Sequence, residues 1–437
     1  MRFWSCFFYL GLVLPQVLSA QPRTQSPGAA APTRLTLHEA EDLALKNNPQ
    51  ISISKLLTLA QGQVVRETRS YELPQVAGNL TAVDTRNGNR ITAGALNNPV
   101  VFDRAAGGVT VAQLLADFGR TRNLVATAQF QQKAQLSSEK ATANDVNLAV
   151  DQAFYGALSA QQLVKVAQGT VETRQLTADQ VQALTTARLK SDLDLSFANV
   201  NLAQAKLLLL DAENQRDAAF AILNTVLGFE TQSTYLLVDE TGGPAEQPSN
   251  NQEDLVSLAL RSRPDLAALD DQWQSAERFR RAEHDLSRPT ISALGVAGGA
   301  PVRADQIPGG PYAAAGVNIS IPIFNGFLFS SRAQEADYRS SVLQQQVRDL
   351  RDRIARDVRV TWLQMNTAYQ KLAVTAQLLQ QANLALSLAQ TRYQLGLGSI
   401  VELSQAQLQQ TEAAIGSTTA RYDYQSALSS LNYQLGR

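Results

Sequence analysis

The sequence has few of the residues that form metal centres, disulfide frameworks or nucleophilic active sites. It contains one cysteine, Cys6, and two histidines, His38 and His284, which lie far apart in the chain. These counts argue against a zinc site, a disulfide framework and a cysteine nucleophile. A glycine-rich phosphate loop and a catalytic triad are also lacking. We therefore predict no enzymatic activity, no cofactor and no metal site.

Aromatic residues and excess charge are scarce as well. Aromatics make up 6% of the chain and the formal net charge is −1, so nothing global indicates a nucleic-acid partner. Gln, Ala and Leu dominate instead, which favours long helices with narrow packing seams. No apolar run of about 18 residues follows the N-terminal leader, so no spanning helix is predicted. Strands that cross a membrane give a much weaker sequence signal than helices, so a membrane β-barrel remains compatible with the sequence.

The N-terminus has the pattern of an export signal. Arg2 precedes an apolar stretch and small residues surround a cleavage site after Ala20, so residues 1–20 are predicted to be a signal peptide. Residues 21–34, rich in Pro, Ala and Ser, are predicted to be a flexible leader. No cysteine follows the cleavage site, which gives no support for a lipid anchor.

After the leader the chain repeats one plan twice. Repeats at 35–228 and 252–437 flank a linker at 229–251 that contains glycine and proline. Within each repeat, two segments with alternating residue character predict strands, and a long helical hairpin follows them. The strands are predicted at about 74–84, 108–118, 289–299 and 312–323, and the hairpins at about 119–228 and 329–437.

The second helix of each hairpin carries alanines at a spacing of seven residues. Such a seam predicts close packing in a left-handed coiled coil, because alanine lets two backbones approach each other. An offset of about 208 residues relates the two sets. They are Ala198, Ala205, Ala212 and Ala219 in the first hairpin, and Ala406, Ala413, Ala420 and Ala427 in the second.

A tight break separates the two helices of each hairpin. In the second hairpin, Gly396 and Gly398 can adopt the positive φ that ends a helix, and Ser399 and Glu402 match a capping box. A carboxylate in this position can cap its helix or join a charged ring at a pore mouth, and the residues alone leave both readings open. The matching residues of the first hairpin are Ser191 and Asp194.

Four strands per chain pose a physical problem that oligomerisation solves. Two strands are not stable alone, and an open sheet cannot lie in lipid because its edges keep unpaired backbone groups. Three chains would contribute about 12 strands, which is within the range of outer-membrane barrels.

The order of these motifs resembles the TolC family of outer-membrane efflux proteins, over nearly the whole chain from about residue 35 to 436. Each motif is short, but their order, repeated at a nearly constant offset, is specific. The motifs are the helix ends before Pro49 and Pro264, Asp117-Phe118-Gly119-Arg120, Ile321-Pro322-Ile323-Phe324-Asn325-Gly326, the segment from Tyr393 to Leu403, and Arg421-Tyr422-Asp423-Tyr424 with Ala427-Leu428.

The resemblance implies a homotrimer in the outer membrane of a Gram-negative type cell. Its trimeric 12-stranded β-barrel would contact outer-membrane lipid, and an α-helical barrel would project into the periplasm. The trimer would complete a tripartite exporter with a periplasmic adaptor (membrane fusion) protein and an inner-membrane transporter of the RND or ABC type. The chain itself would be a passive conduit, and its residues do not indicate whether it exports drugs, metals or proteins.

The resemblance also implies roles for residues at the hairpin tips. Glu402 and Asp194 match acidic positions at the periplasmic entrance, and Tyr393 matches a gating tyrosine. Gln405 stands where a second carboxylate is expected, and Gly398 where an arginine is expected, so Arg188 of the other tip is the candidate to replace that arginine. Adaptor contact is expected at the tips, at Ser191, Gly396, Gly398 and Ser399.

One alternative from a different class is a periplasmic coiled-coil scaffold without a pore. It accounts for the heptads and the signal peptide. It must, however, treat all four predicted strands as loops, and we therefore prefer the export duct.

Overall fold

The computed structural model of the protein describes residues 33–84, 104–229, 235–240, 251–302 and 309–437. The signal peptide predicted at 1–20 lies outside the described residues, as do most of the predicted leader and parts of the linker. Across the described ranges, no helix combines the length with the apolarity that crossing a bilayer requires.

One order of elements occurs twice, which confirms the predicted fold class of mainly α structure with a small β part in two repeats. Corresponding hairpin helices have equal lengths, 67 residues for the first and 35 for the second. At about 1.5 Å per residue, the longer helix extends for about 100 Å. The first repeat contains α1 (Leu37–Asn47), α2 (Pro49–Ser70), β2 (Gln75–Val83), β3 (Arg104–Ala116), α3 (Arg120–Thr186) and α4 (Asp192–Val226). The second contains α5 (Gln252–Ser262), α6 (Pro264–His284), β5 (Thr290–Val302), β6 (Gly310–Ser320), α7 (Leu328–Gln394) and α8 (Ile400–Gln434).

The strands of the two repeats form one antiparallel sheet in the order β2-β3-β5-β6. The repeats meet where β3 pairs with β5, and β2 and β6 are the edge strands. β6 ends at Ser320, earlier than the predicted 323, because Pro322 has no N–H to donate to a ladder. Because these segments are strands, the scaffold alternative, which required them to be loops, is excluded in that form.

A second, smaller sheet joins segments that were predicted to be a flexible leader and a linker. β1 (Thr33–Leu35) pairs in parallel with β4 (Tyr235–Leu237), and the N–H of Val238 donates to the carbonyl of Leu35 at 3.0 Å. Leu35 and Leu237 are both buried. The prediction of a flexible leader is therefore wrong for its last residues, and the prediction of a linker is wrong for 235–237. Both strands have only three residues and pair with a distant segment, so neither shows a local pattern of alternating residues.

Helix packing follows the predicted alanine seam. Ala198, Ala205 and Ala212 of α4 are buried, as are their counterparts Ala406, Ala413 and Ala420 of α8. Larger side chains form the core near the base of each hairpin. In the first repeat these include Phe154, Leu158 and Leu223, and in the second Ile354, Val358 and Tyr424.

One acidic side chain in the base of the first hairpin makes a testable contribution to pH-dependent stability. Burial of Asp151 on α3, beside Glu41 of α1, raises the pKa of the Asp151 carboxyl to about 7. Between pH 4 and 7 the folded protein therefore binds a proton that the unfolded chain has lost, so stability falls as pH rises through this range. We expect Asp151→Asn to raise the thermal midpoint at pH 8 by several degrees and to flatten its dependence on pH.

The measurement is a series of thermal midpoints of the detergent-solubilised protein from pH 4.5 to 8.5. Asp211→Asn, on the exposed surface of α4, removes the same charge and is the matched control. Equal pH profiles for the two variants would contradict the assignment to Asp151.

Candidate functional site at the hairpin tips

The first tip is closed by a complete capping box. The hydroxyl of Ser191 accepts from the N–H of Asp194 at 3.2 Å, and the Asp194 carboxylate accepts from the N–H and hydroxyl of Ser191 at 3.2 and 2.9 Å. These local hydrogen bonds begin α4. The Asp194 carboxylate is thus engaged by its own helix, as the capping interpretation of the sequence predicts.

The second tip has only half of that box. The hydroxyl of Ser399 accepts from the N–H of Glu402 at 3.1 Å, but the Glu402 carboxylate turns to Arg392 instead. Nε of Arg392 donates to Glu402 at 2.9 Å, and a second guanidinium nitrogen donates to the carbonyl of Leu397 at 3.1 Å. Arg392 therefore joins the last turn of α7, the turn itself and the first turn of α8.

The ion pair between Arg392 and Glu402 positions the tip without holding it rigidly. Their side chains are 53% and 43% exposed, and ion pairs of this exposure contribute about 0–1 kcal/mol. Sequence reasoning missed Arg392, which is ten residues from Glu402 along the chain. The signal was a tight turn with the arginine just before it and the carboxylate just after it, opposite charges that such a turn brings together.

The glycines of the second tip have separate roles. Gly396 has a φ of 73° and ends α7, as predicted. Gly398 does not adopt a positive φ, and that part of the prediction is wrong. A Cβ on Gly398 would lie 3.2 Å from the Glu402 carboxylate and 3.3 Å from Cβ of Arg392, so its missing side chain makes room for the ion pair.

Two basic residues of the first tip correspond to these glycines. Arg188 stands at the position of Gly396 and adopts a φ of 59°. Among the described residues its side chain makes no hydrogen bond or ion pair, and its role as a replacement for the missing arginine stays a prediction. Lys190 stands at the position of Gly398, and its side chain reaches the second tip.

Tyr393 joins the two tips. It is 7% exposed, and Nζ of Lys190 lies 4.4 Å from the centre of its ring. Burial, together with the negative charge of Asp194, raises the pKa of the Tyr393 hydroxyl. That hydroxyl is buried without a hydrogen-bond partner among the described residues. The aromatic ring of Tyr393 is therefore packed between the two tips.

Further contacts hold the hairpins together just behind the tips. An apolar cluster combines Val181 and Leu202 of the first hairpin with Ile400 and Leu403 of the second. Two polar contacts cross the same seam: Asn201 donates to Ser404 at 2.7 Å, and Gln407 donates to Thr177 at 3.2 Å.

Exposed apolar side chains cover the outer surface of both tips. They occur in corresponding positions, Leu189 with Leu397 and Leu193 with Val401, and are 56–70% exposed. Gln405 is also exposed, one turn beyond Glu402 on α8, and its side chain makes no hydrogen bond to a described residue. A paired apolar surface of this kind is typical of a protein contact site.

Comparisons with known proteins agree with this architecture. The model of the outer membrane efflux protein family matches residues 41–229 and 255–437. The outer membrane efflux protein BepC of Brucella suis biovar 1 (strain 1330) is 24% identical over 397 residues, which cover 89% of this chain and 82% of BepC. The Campylobacter jejuni CmeC outer membrane channel matches with a TM-score of 0.79 at 15% identity, covering 98% of this chain and 94% of CmeC. CusC matches with a TM-score of 0.79 at 17% identity, covering 92% of each chain. These two structures share the fold.

Proposed function

Because the chain belongs to the outer membrane efflux protein family, we propose that three copies of it form one export duct that closes at the hairpin tips. Family membership places the chain in the outer membrane with a periplasmic helical portion, and assigns it efflux in a tripartite system with an adaptor and an inner-membrane pump. Members of this family are transport conduits and not enzymes. The trimer, the gate and the adaptor surface are the proposed parts.

The main support for a trimer is the four-stranded sheet, which has two edges without a partner strand among the described residues. β2 and β6 each lack a partner on one side among the described residues, and a membrane does not tolerate such edges. The strands are 9 to 13 residues long, enough to cross a bilayer when tilted. Apolar side chains of the edge strands such as Leu80 and Val317 are 92% and 64% exposed in the single chain, and contact with lipid would cover them. Pairing β6 of one copy with β2 of the next closes a barrel of about 12 strands.

The native mass of the protein extracted from the outer-membrane fraction tests this assembly. A trimer that forms conducting pores in planar bilayers is the expected result. A monomer or dimer without conductance would leave the edges of the sheet unpaired and would overturn the proposed duct.

The gate is proposed at the second tip, where Glu402 lies. In a trimer, three copies of this exposed carboxylate would surround one axis and favour cations there. We expect Glu402→Ala to raise the concentration of divalent cation needed for half-block of the pore about tenfold, equivalent to about 1.4 kcal/mol. The measurement is the single-channel current during titration with Mg²⁺ or Co²⁺.

The control for this prediction is Gln405→Ala, one turn away and without charge, which is expected to leave block unchanged. If Glu402→Ala also left block unchanged, the carboxylate would serve only Arg392 and the start of α8. Because the ion pair with Arg392 is exposed, loss of Glu402 is expected to alter thermal stability little.

The exposed apolar residues at the tips support adaptor docking there. Leu189 and Leu193 on the first tip and Leu397 and Val401 on the second offer a repeated contact surface. The tip residues Ser191, Gly396, Gly398 and Ser399, which the resemblance assigns to adaptor contact, are proposed parts of the same surface. An inner-membrane transporter of the RND or ABC type would then supply the energy, and the adaptor would join it to the tips.

A further inference from the structure

An arginine on α3 is buried with no counter-charge among the residues that the structure describes. Arg174 is 7% exposed, and its Nη1 atom is buried with no hydrogen-bond partner among the described residues. No described carboxylate forms an ion pair with it. Burial lowers the pKa of the guanidinium to about 10, so it still carries its positive charge at pH 7.

Arg174 lines a cavity of about 380 Å³ between α3, α7 and α8. None of the described side chains that line this space is acidic. A second cation, Lys165, stands at its exposed side, and its ammonium group makes no ion pair with a described residue. The other polar lining side chains are Thr170, Thr173, Gln390, Gln407, Gln410 and Thr411.

The hydrogen bonds of the lining residues leave some of their donors without a partner among the described residues. The three threonine hydroxyls donate to backbone carbonyls of their own helices. The side-chain amides of Gln407 and Gln410 donate to Thr177 and Asn383. Arg174, Lys165 and Gln390 donate no side-chain hydrogen bond to a described residue, and two of them are positively charged.

A buried cation without a partner is unfavourable, because the protein interior replaces its hydration poorly. An anion in the cavity removes that penalty. Guanidinium is suited to oxygen anions in particular, because its N–H groups match the spacing of two oxygens, while an ammonium acts as a point charge. The cavity is large enough for a group of phosphate size.

We propose that this cavity is a binding site for a small oxyanion of the phosphate or carboxylate class, with Arg174 as its main ligand. Lys165 attracts the ion at the mouth of the cavity, and the amide of Gln390 donates to it. The site lies in the wall of the helical hairpins behind the tips. It is separate from the ion pair between Arg392 and Glu402, and it does not rest on the proposed duct or trimer.

The test is binding of inorganic phosphate to the full-length, detergent-solubilised protein at pH 7. Thermal midpoints and titration calorimetry are measured with phosphate, with acetate as the carboxylate probe, and with chloride at equal ionic strength. We expect a saturable rise of the midpoint with phosphate or acetate that chloride does not reproduce. Arg174→Gln is expected to abolish it, and Lys165→Gln to weaken the affinity about tenfold.

Lys206→Gln is the matched control, because it removes a positive charge from an exposed site on α4. It should bind phosphate as the parent protein does. If Arg174→Gln fails to fold, Lys165→Gln decides the question, since the Lys165 side chain is exposed and makes no ion pair or hydrogen bond with a described residue.

Three results would overturn the proposal. One is a parent protein with no saturable response to phosphate or acetate, which would mean that the cavity holds only water or is filled by another chain. Another is unchanged binding in both Arg174→Gln and Lys165→Gln. The third is a response to chloride equal to that with phosphate, which would show a general effect of salt.

Discussion

The Gly228→Ala variant is expected to be destabilised by about 3 kcal/mol. Gly228 follows the last turn of α4 with a φ of 82°, a conformation that alanine adopts at a cost. In addition, a Cβ there would lie 2.8 Å from the carbonyl carbon and oxygen of Asn47. These backbone atoms belong to the junction of α1 and α2 and cannot move aside without shifting both helices.

The structure offers a control that separates these two costs. Gly396 has a similar φ of 73°, but a Cβ on it would meet nothing within 4 Å. Gly396→Ala is therefore expected to cost about 1 kcal/mol, from the backbone conformation alone. The thermal midpoint of each solubilised variant provides the comparison. Equal shifts of the midpoint would mean that the close contact between the added Cβ and Asn47 does not destabilise the protein.

The second repeat provides an independent copy of the same feature. Gly436 follows α8 with a φ of 78°, and a Cβ there would lie 2.9 Å from the carbonyl carbon of Ser262, at the junction of α5 and α6. Gly436→Ala should therefore resemble Gly228→Ala in the size of its shift and exceed Gly396→Ala.

The Arg332→Ala variant is also expected to lose about 3 kcal/mol of the free energy of unfolding, because it leaves a buried carboxylate without its ion-pair partner. Glu283 near the end of α6 is only 2% exposed, and Arg332 of α7 donates to its two oxygens at 2.6 and 2.9 Å. Without the guanidinium, a buried negative charge has lost its ion-pair partner. Because the side chain of Arg332 is itself 44% exposed, some water can reach the carboxylate, and we place the loss at the lower end of the range for such pairs.

Arg339→Ala is the matched control on the same helix. Arg339 pairs with Glu335, but both side chains are more than half exposed, so its loss should change stability by less than about 0.5 kcal/mol. The double variant Glu283→Gln with Arg332→Met removes both charges and is expected to recover much of the lost stability. If Arg332→Ala were no worse than Arg339→Ala, the buried pair would not contribute to joining α6 and α7.

At the tips, the local features were predictable and the contacts across them were not. Ser191 with Asp194, and Ser399 with Glu402, were recognisable as caps because capping residues stand three apart in sequence. The pairing of Glu402 with Arg392 depends on how tightly the turn folds back. The placement of Lys190 on the ring of Tyr393 depends on the packing of two hairpins, for which the sequence near either residue carries no pattern.

The strands show the same division. Alternation marked all four segments of the main sheet, and only their ends shifted by a few residues. The pairing of β3 with β5, which joins the repeats, was not encoded in either segment alone. The strands β1 and β4 were missed, because three residues are too few to show a period and their partners are distant.

The sequence by itself determined the two repeats, the heptad seams, the caps and the membership in an efflux family, since all of these are patterns over short or regularly spaced intervals. Tertiary structure alone decided that Tyr393 is buried between the two tips and that Gly228 and Gly436 contact helix junctions. It also decided that Arg174 has no counter-charge in the described part of the chain. The physical reason is that burial and charge pairing depend on which surfaces meet. For Gly228 and Gly436 these surfaces are distant segments of one repeat, and for Tyr393 and Arg174 they belong to the two different hairpins.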